Sequence, residues 1–179
     1  MEVADRAGYE AFRKELNKRL VEALPATVMH EDGTAANLTG GVYSGDVPVK
    51  NWTSNFWEEA ADALTGSALT EQYLTRRGAC AYCAIACKRD VDVPERGVTS
   101  KYGGPEYETI GSGGSVCGIG DLGAIAKFHQ ICGEYVMDTI SVGMTIAWAM
   151  ECFEKGILTS ADTDGLDLRF GNAEAMLAL

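Results

Sequence analysis

The first pattern along the chain is a repeat of apolar side chains at intervals of three and four residues. The repeating positions are Tyr9, Phe12, Leu16, Leu20 and Leu24. Charged residues fall mostly between them, so one side of the segment is apolar and the other is polar. Because an α-helix has about 3.6 residues per turn, this pattern predicts an amphipathic helix over residues 5–24, ended by Pro25.

Apolar periodicity and capping residues predict further helices along the chain. They cover residues 56–64, residues 70–77, residues 121–135 with Asp121 as the N-cap, residues 141–155 ending before Gly156, and a last helix that starts at Gly171-Asn172. Apolar residues surround the helix at 141–155 on almost all sides. We therefore expect this helix to be buried at the centre of the protein.

Two long stretches lack helical periodicity. Residues 30–49 carry Asp-Gly and Gly-Gly turn signals, with one helical turn expected at 34–38, and residues 111–123 include six glycines. The spacing Gly118-x-Gly120-x-x-Gly123 matches a dinucleotide fingerprint, but a glycine-rich loop precedes it instead of the required strand. Residues 89–93 favour a short strand or an extended segment. The predicted fold class is mainly α: a multihelical domain with long glycine-rich loops and little or no sheet.

Composition and charge exclude several function classes. The 179 residues are 46% apolar, as in an ordinary globular protein, and we expect one helical domain over residues 1–179. A net charge of −11 argues against nucleic-acid binding. No apolar run is long enough to cross a membrane, and no secretory signal is present. The chain stops within a helical pattern at Ala178-Leu179, which we interpret as a sign that it is a piece of a longer protein.

A cluster of three cysteines is the strongest chemical signal in the sequence. Cys80, Cys83 and Cys87 form a Cys-x-x-Cys-x-x-x-Cys pattern, and a local turn can bring three such thiols to one place. Thiolates are soft ligands that select zinc or an iron–sulfur cluster. A 4Fe–4S cluster needs four ligands, so this segment could supply three of them. Reduced thiols beside a metal site are typical of a cytoplasmic protein.

Two other interpretations of the cysteine cluster stay open. The thiols could be small buried residues, since free cysteine is often found in protein cores. They could also bind structural zinc, but His30 and His129 do not have the spacing of a zinc-finger pair. The remaining cysteines lie in apolar or glycine-rich contexts and are expected in the core; they are Cys117, Cys132 and Cys152.

A pair of carboxylates follows a glycine-proline segment. Glu106 and Glu108 lie just after Gly103-Gly104-Pro105, where the backbone can approach another group closely. If a helix begins here, its positive N-terminal dipole favours both carboxylates without any catalytic role. The alternative is a carboxylate directed at an active site.

Five motifs taken together resemble the aldehyde:ferredoxin oxidoreductase family of tungsten–pterin enzymes. In order, they are Cys80-x-x-Cys83-x-x-x-Cys87, Gly104-Pro105-Glu106-Tyr107-Glu108-Thr109, Met137-Asp138-Thr139-Ile140-Ser141, the Trp148-Ala149-Met150-Glu151 helix, and residues 164–172, from Asp164 to Asn172. The resemblance implies a three-domain enzyme of which this chain is the middle, helical domain. The N-terminal pterin-binding sheet domain and the C-terminal domain would lie outside this sequence.

The resemblance also implies roles for particular residues. Cys80, Cys83 and Cys87 would hold a 4Fe–4S cluster, with a fourth cysteine supplied by the third domain. Glu108 would be the carboxylate near the metal, with Glu106 as its less favoured neighbour. Asp138 would belong to a loop that approaches the pterin. No Glu-x-x-His pair occurs in the chain, so we do not expect the interface iron that such a pair holds in some members.

One departure from the family pattern concerns the pterin loop. The family reads Asp-x-x-Gly-Leu-Asp before Thr-Ile-Ser, whereas this chain reads Gly133-Glu134-Tyr135-Val136-Met137-Asp138. Only the final aspartate, Asp138, is shared.

The resemblance implies a tungsten or molybdenum bis-pterin oxidoreductase that converts aldehydes to carboxylic acids and passes electrons to ferredoxin or another acceptor. The fragment alone is expected to be inactive. Its partners would be the remaining domains and possible further copies of the chain, with no nucleic acid and no membrane. The alternative hypothesis is a non-catalytic helical module that binds an iron–sulfur cluster or a partner.

Overall fold

The computed structural model describes residues 3–179 and is mainly helical over that range. The helices are α1 (Arg6–Glu22), α2 (Leu24–Asp32), α3 (Leu38–Ser44), α4 (Ala60–Ala63), α5 (Gly66–Tyr73), α6 (Tyr107–Gly113), α7 (Leu122–Tyr135), α8 (Thr139–Glu154) and α9 (Ala173–Ala178). The strands are β1 (Leu74–Gly78) and β2 (Lys88–Val91), paired antiparallel. The predicted fold class is confirmed.

The helix predicted at the start of the chain is confirmed, but Pro25 does not stop helical structure. Asp5 caps α1 by accepting a hydrogen bond from the N–H of Gly8, and α1 ends at Glu22. A second helix, α2, then begins at Leu24 with Pro25 in its first turn. Proline is tolerated there because the first N–H groups of a helix have no partner within it. The loop expected at 30–49 is therefore shorter, since α2 and α3 occupy much of it.

The prediction of a helix at residues 70–77 was wrong in its second half. Helix α5 ends at Tyr73, and the backbone then extends into β1, which pairs with β2 across the cysteine segment. This pairing joins residues that are distant in sequence, so helical periodicity could not reveal it. The helix predicted at 56–64 is also reduced to α4.

The predicted cap of α7 is confirmed, and the last helix starts where predicted. Asp121 accepts a hydrogen bond from the N–H of Ala124 at the start of α7, and Asn172 accepts one from Ala175 at the start of α9. The expectation that α8 is buried on all sides was wrong. One face is buried, while Trp148 on the other face is 60% exposed.

Helices α6, α7 and α8 pack together around the core and bring the starts of α6 and α8 side by side. The hydroxyls of Thr109 on α6 and Thr139 on α8 lie 2.9 Å apart in a hydrogen bond. Farther along, Gly143 of α8 packs directly on the backbone of Ser112. Burial of Ile110, Ile125 and Met150 fixes this arrangement through the hydrophobic effect.

The loop between α7 and α8 contains a valine in the left-handed region. Val136 has φ of 58° and is 92% exposed. A branched side chain is strained in this conformation, whereas glycine adopts it freely. The loop therefore keeps a backbone shape suited to glycine at the position where the pattern Asp-x-x-Gly-Leu-Asp has one.

We expect Val136→Gly to raise the free energy of unfolding by about 1 kcal/mol, because relief of left-handed strain outweighs the added freedom of the unfolded chain. Urea denaturation followed by circular dichroism would measure it. Met137→Gly is the matched control and should destabilise, since Met137 has no positive φ to relieve. A loss of stability in Val136→Gly would contradict the strain argument.

Candidate iron–sulfur and carboxylate site

The three predicted ligand cysteines lie on one loop at the end of a hairpin. Gly78 of β1 pairs with Lys88 of β2, so residues 79–87 form the connection between the strands. The N–H of Cys83 donates to the carbonyl of Cys80 at 3.1 Å. Tyr82 and Ala86 both have positive φ, at 61° and 55°. These tight turns hold Cys80, Cys83 and Cys87 on a single short segment.

Backbone groups of the loop favour a thiolate at its centre. The N–H groups of Ala86 and then Ile85 donate toward the sulfur of Cys83 and lower the pKa of its thiol. Hydrogen bonds of this kind stabilise the charged form of a ligand cysteine. Cys80 and Cys83 are exposed, whereas Cys87 is partly buried. The loop therefore presents two exposed thiols, and its backbone favours the thiolate form of one of them, Cys83.

The pKa of the third thiol, that of Cys87, is shifted in the opposite direction to that of Cys83. Burial raises the pKa of Cys87, and the carboxylate of Glu106 adds to the effect. Negative charge on Cys83 and on Cys80 raises the Cys87 pKa further. The thiols therefore interact electrostatically, and a cationic metal centre would relieve the repulsion among their ionised forms.

Two residues that the sequence did not single out anchor the loop. Arg89 is 3% exposed, and its guanidinium donates to the carbonyls of Cys87 at 3.3 Å and His30 at 2.7 Å. His30 in turn contacts the carbonyl of Ile85 through Nδ1 at 2.8 Å. His30 is thus a structural support for the cysteine loop on α2. The sequence signal available for this support was an arginine two residues after a predicted ligand cysteine.

The candidate donor set consists of the three cysteines of one loop. Within residues 3–179, no three His, Cys, Asp or Glu side chains converge to hold one metal ion. In an iron–sulfur cluster, each ligand cysteine binds a different iron. N–H groups directed at the Cys83 sulfur match the hydrogen bonding that tunes such clusters.

Glu106 faces the cysteine loop and is held in place by a threonine. Its Oε2 accepts a hydrogen bond from the hydroxyl of Thr34 at 2.6 Å, and the same hydroxyl accepts from the N–H of Tyr107 at 2.8 Å. Glu106 also raises the pKa of Cys87, so its charge reaches the loop. Glu106 therefore links the start of α6 to the cysteine hairpin.

Glu108 and Asp138 lie at the neighbouring starts of α6 and α8. Glu108 is exposed in the first turn of α6. Asp138 caps α8, accepting hydrogen bonds from the N–H of Ser141 at 2.8 Å and from its hydroxyl at 2.6 Å. The expectation that Glu106 and Glu108 mark a helix start is confirmed. Their assignment to catalysis or cofactor binding stays a prediction, as does that of Asp138.

The hydroxyl of Ser141 is the main reason that the pKa of Asp138 lies below its ordinary value, followed by the Ser141 N–H. We expect Ser141→Ala to move the Asp138 pKa back toward that value, because the backbone bond remains while the hydroxyl is lost. A carboxyl carbon NMR titration would measure it. Thr145→Ala is the control and should leave the Asp138 pKa in place, since Thr145 donates to the Ser141 carbonyl instead.

The other cysteines belong to the core, as predicted. Cys117, Cys132 and Cys152 are buried. Burial raises the pKa of Cys117 to about 12, so its thiol stays protonated. Its sulfur lies 3.3 Å from the carbonyl of Ser112, to which the thiol donates.

An open apolar groove lies beside Asp138. Its volume is about 880 Å³, and it runs between α7, α8 and the end of the chain, past Phe128, Val142, Ile146 and Leu177. Met137 and Ser141, on either side of Asp138, also line it. The groove therefore reaches the start of α8.

Comparison with known families gives a class for this arrangement of a three-cysteine loop and carboxylates at paired helix starts: it occurs in a chain that matches an oxidoreductase family. A family model described as aldehyde ferredoxin oxidoreductase, domains 2 and 3, matches residues 11–179. The chain belongs to the aldehyde ferredoxin oxidoreductase family.

Individual relatives give the same result. The chain is 36% identical over 176 residues to a tungsten-containing aldehyde ferredoxin oxidoreductase of Thermococcus kodakarensis, covering 97% of this chain and 28% of the relative. It is 34% identical over 180 residues to the Pyrococcus abyssi enzyme of the same description, covering 98% and 29%. An aliphatic sulfonate oxidoreductase, WOR-like subunit, of Pyrococcus furiosus is 25% identical over 182 residues, covering 99% and 28%.

The chain thus spans less than a third of the length of the curated relatives that it matches. None of the helices in the described part of the chain is both long and apolar enough to cross a membrane.

Proposed function

We propose that this chain is the cluster-bearing helical part of a tungsten or molybdenum bis-pterin oxidoreductase that converts aldehydes to carboxylic acids and delivers the electrons to ferredoxin. The observation that carries the proposal is the hairpin loop that groups three cysteines in a chain of this family. The names of its relatives support tungsten as the metal, an aldehyde as the substrate and ferredoxin as the electron acceptor. A reducing compartment, the cytoplasm, suits its exposed thiols.

In this proposal, Cys80, Cys83 and Cys87 hold a 4Fe–4S cluster, and a cysteine outside this sequence provides the fourth ligand. When bound, the cluster carries single electrons away from the two-electron oxidation at the pterin-bound metal. The N–H groups of Ala86 and Ile85 stabilise the Cys83 thiolate. Arg89 and His30 fix the loop on α2 and keep the three sulfurs in a constant arrangement.

The carboxylates of Glu106, Glu108 and Asp138 would accept protons or position the segments around the site. Oxidation of an aldehyde with water gives a carboxylic acid, two protons and two electrons, so the site needs a group that accepts protons. Glu108 is exposed at the start of α6 and suits this role. Asp138 is engaged in capping α8 and would orient the loop toward the pterin. Glu106 is held at the start of α6 by Thr34, and its charge acts on the cysteine loop, where it raises the pKa of Cys87.

The proposal places this chain within a longer polypeptide. A pterin-binding sheet domain and a third domain would complete the active site, and the 179-residue chain alone would not turn over aldehydes. The groove beside Asp138 is then a surface on which such domains, or a second copy, could pack.

The test is to express the longer coding sequence without oxygen and to measure bound iron, tungsten and molybdenum together with aldehyde-dependent dye reduction. We expect about four irons per chain from this site, one tungsten or molybdenum, and turnover with aldehydes. A protein with iron but no pterin metal and no turnover would favour a non-catalytic iron–sulfur module. A protein without iron would contradict the assignment of the three cysteines.

A further inference from the structure

The cysteine hairpin has two chemically different faces. Side chains alternate along a strand, and Arg77 and Arg89, which pair across the strands, point toward α2. Arg77 forms an ion pair with Glu31 at 2.9 Å, and Arg89 is buried. On this inner face, the charge of Arg77 is therefore neutralised by Glu31, and the guanidinium of Arg89 binds backbone carbonyls within the protein.

The outer face keeps its positive charge exposed. Arg76 pairs with Asp90 at 2.6 Å, but the Arg76 side chain is 77% exposed whereas that of Asp90 is only 14% exposed. Lys88 is exposed beside Gly78 and has no ion-pair partner among residues 3–179. A partner approaching this face would therefore meet two cations, although the chain as a whole has a net charge of −11.

An aromatic side chain projects at the end of the same hairpin. Tyr82, between Cys80 and Cys83, is fully exposed and lies in the left-handed region. A bulky residue in that conformation carries a backbone cost. Tyrosine is enriched at interfaces, where it buries a large area with little loss of side-chain freedom.

We propose that the hairpin face, defined as Arg76, Tyr82 and Lys88, is the docking surface for an acidic iron–sulfur electron carrier of the ferredoxin class. This inference rests on the proposed cluster at Cys80, Cys83 and Cys87. Tyr82, an exposed residue of the cysteine loop itself, makes the central contact. The two cations attract the acidic carrier and orient it, while the acidic remainder of the chain repels it elsewhere.

The size of the face suits a carrier that must leave after each electron. A hairpin end offers a small contact, and complexes of electron-transfer proteins are among the smallest specific interfaces. In each encounter the reduced cluster loses one electron and one oxidised carrier gains it, with no bond made or broken. Docking over the cysteine loop places the cluster of the chain close to the cluster of the carrier. Because the contact is small, the carrier can then dissociate.

The experiment uses the 179-residue chain, loaded with iron and sulfide without oxygen in the presence of a free thiol that can serve as fourth ligand. The visible absorption of the cluster reports on loading. Isothermal titration calorimetry with an acidic 4Fe–4S ferredoxin then gives Kd at about 20 mM and about 300 mM salt, where screening differs strongly. The variants are Lys88→Gln, Lys88→Glu and Tyr82→Asn, since asparagine tolerates positive φ.

At low salt, we expect Lys88→Gln to weaken binding about twofold and Lys88→Glu about fivefold. Both differences should disappear at high salt. Tyr82→Asn should weaken binding at both salt concentrations, because the contact that it removes is not ionic. The control Lys18→Glu, an exposed residue of α1, should bind as the parent chain does.

Each contrary result has a separate meaning. A chain that shows no cluster absorption overturns the cluster assignment and the docking proposal with it. A loaded chain that fails to bind ferredoxin, or whose Lys88 and Tyr82 variants bind normally, overturns the docking proposal alone. An equal loss of binding in Lys18→Glu also overturns it, since attraction would then be unspecific.

Discussion

Replacing Cys83 by serine is expected to reduce the iron bound by the chain from about four atoms to fewer than one. The serine hydroxyl stays protonated near neutral pH and is a far weaker ligand than a thiolate. Cys83 is also the cysteine whose thiolate receives the N–H groups of Ala86 and Ile85. Iron and sulfide analysis after reconstitution without oxygen would measure the loss.

The matched control for this experiment is a cysteine in the core. Cys152 lies in α8 and is buried, so Cys152→Ala should retain the full complement of iron. Circular dichroism would show whether each variant is folded. Equal iron in Cys83→Ser and the parent chain would show that the cysteine loop is not the site of the cluster.

Replacing Gly143 by alanine is expected to lower the free energy of unfolding by about 3 kcal/mol. A Cβ at Gly143 would lie 2.6 Å from the carbonyl carbon of Ser112 and 2.7 Å from its oxygen. Backbone atoms cannot move aside alone, so α8 would have to shift away from α6. The shift would also disturb the Thr109–Thr139 hydrogen bond. Urea denaturation would give the change in stability.

Gly111→Ala is a control for which the change in the free energy of unfolding should have the opposite sign. Gly111 lies within α6, and a Cβ there would meet no atom within 4 Å. Gly111→Ala should therefore stabilise the protein by about 0.5–1 kcal/mol, because alanine loses less backbone freedom on folding. If Gly143→Ala were as stable as the parent chain, the close contact between α6 and α8 would not be essential for packing.

The sequence by itself determined the features that depend on neighbouring residues. The cap at Asp121 depends on a side chain reaching an N–H three residues away, so the start of α7 could be placed. The start of the last helix at Gly171-Asn172 was placed from the local sequence in the same way. The Cys80, Cys83 and Cys87 spacing indicated a shared loop for the same reason. Together with the later motifs, it also indicated the family that the comparisons confirm.

Only the tertiary structure decided the features that depend on distant residues. Strands β1 and β2 exist because they pair with each other, and this pairing makes a strand of the second half of the helix expected at 70–77. His30 reaches Ile85 across 55 positions of the chain, and Arg89 buries its charge against the same support. The sequence shows four basic residues at 76–89, but only strand alternation and packing on α2 determine that Arg76 and Lys88 remain exposed.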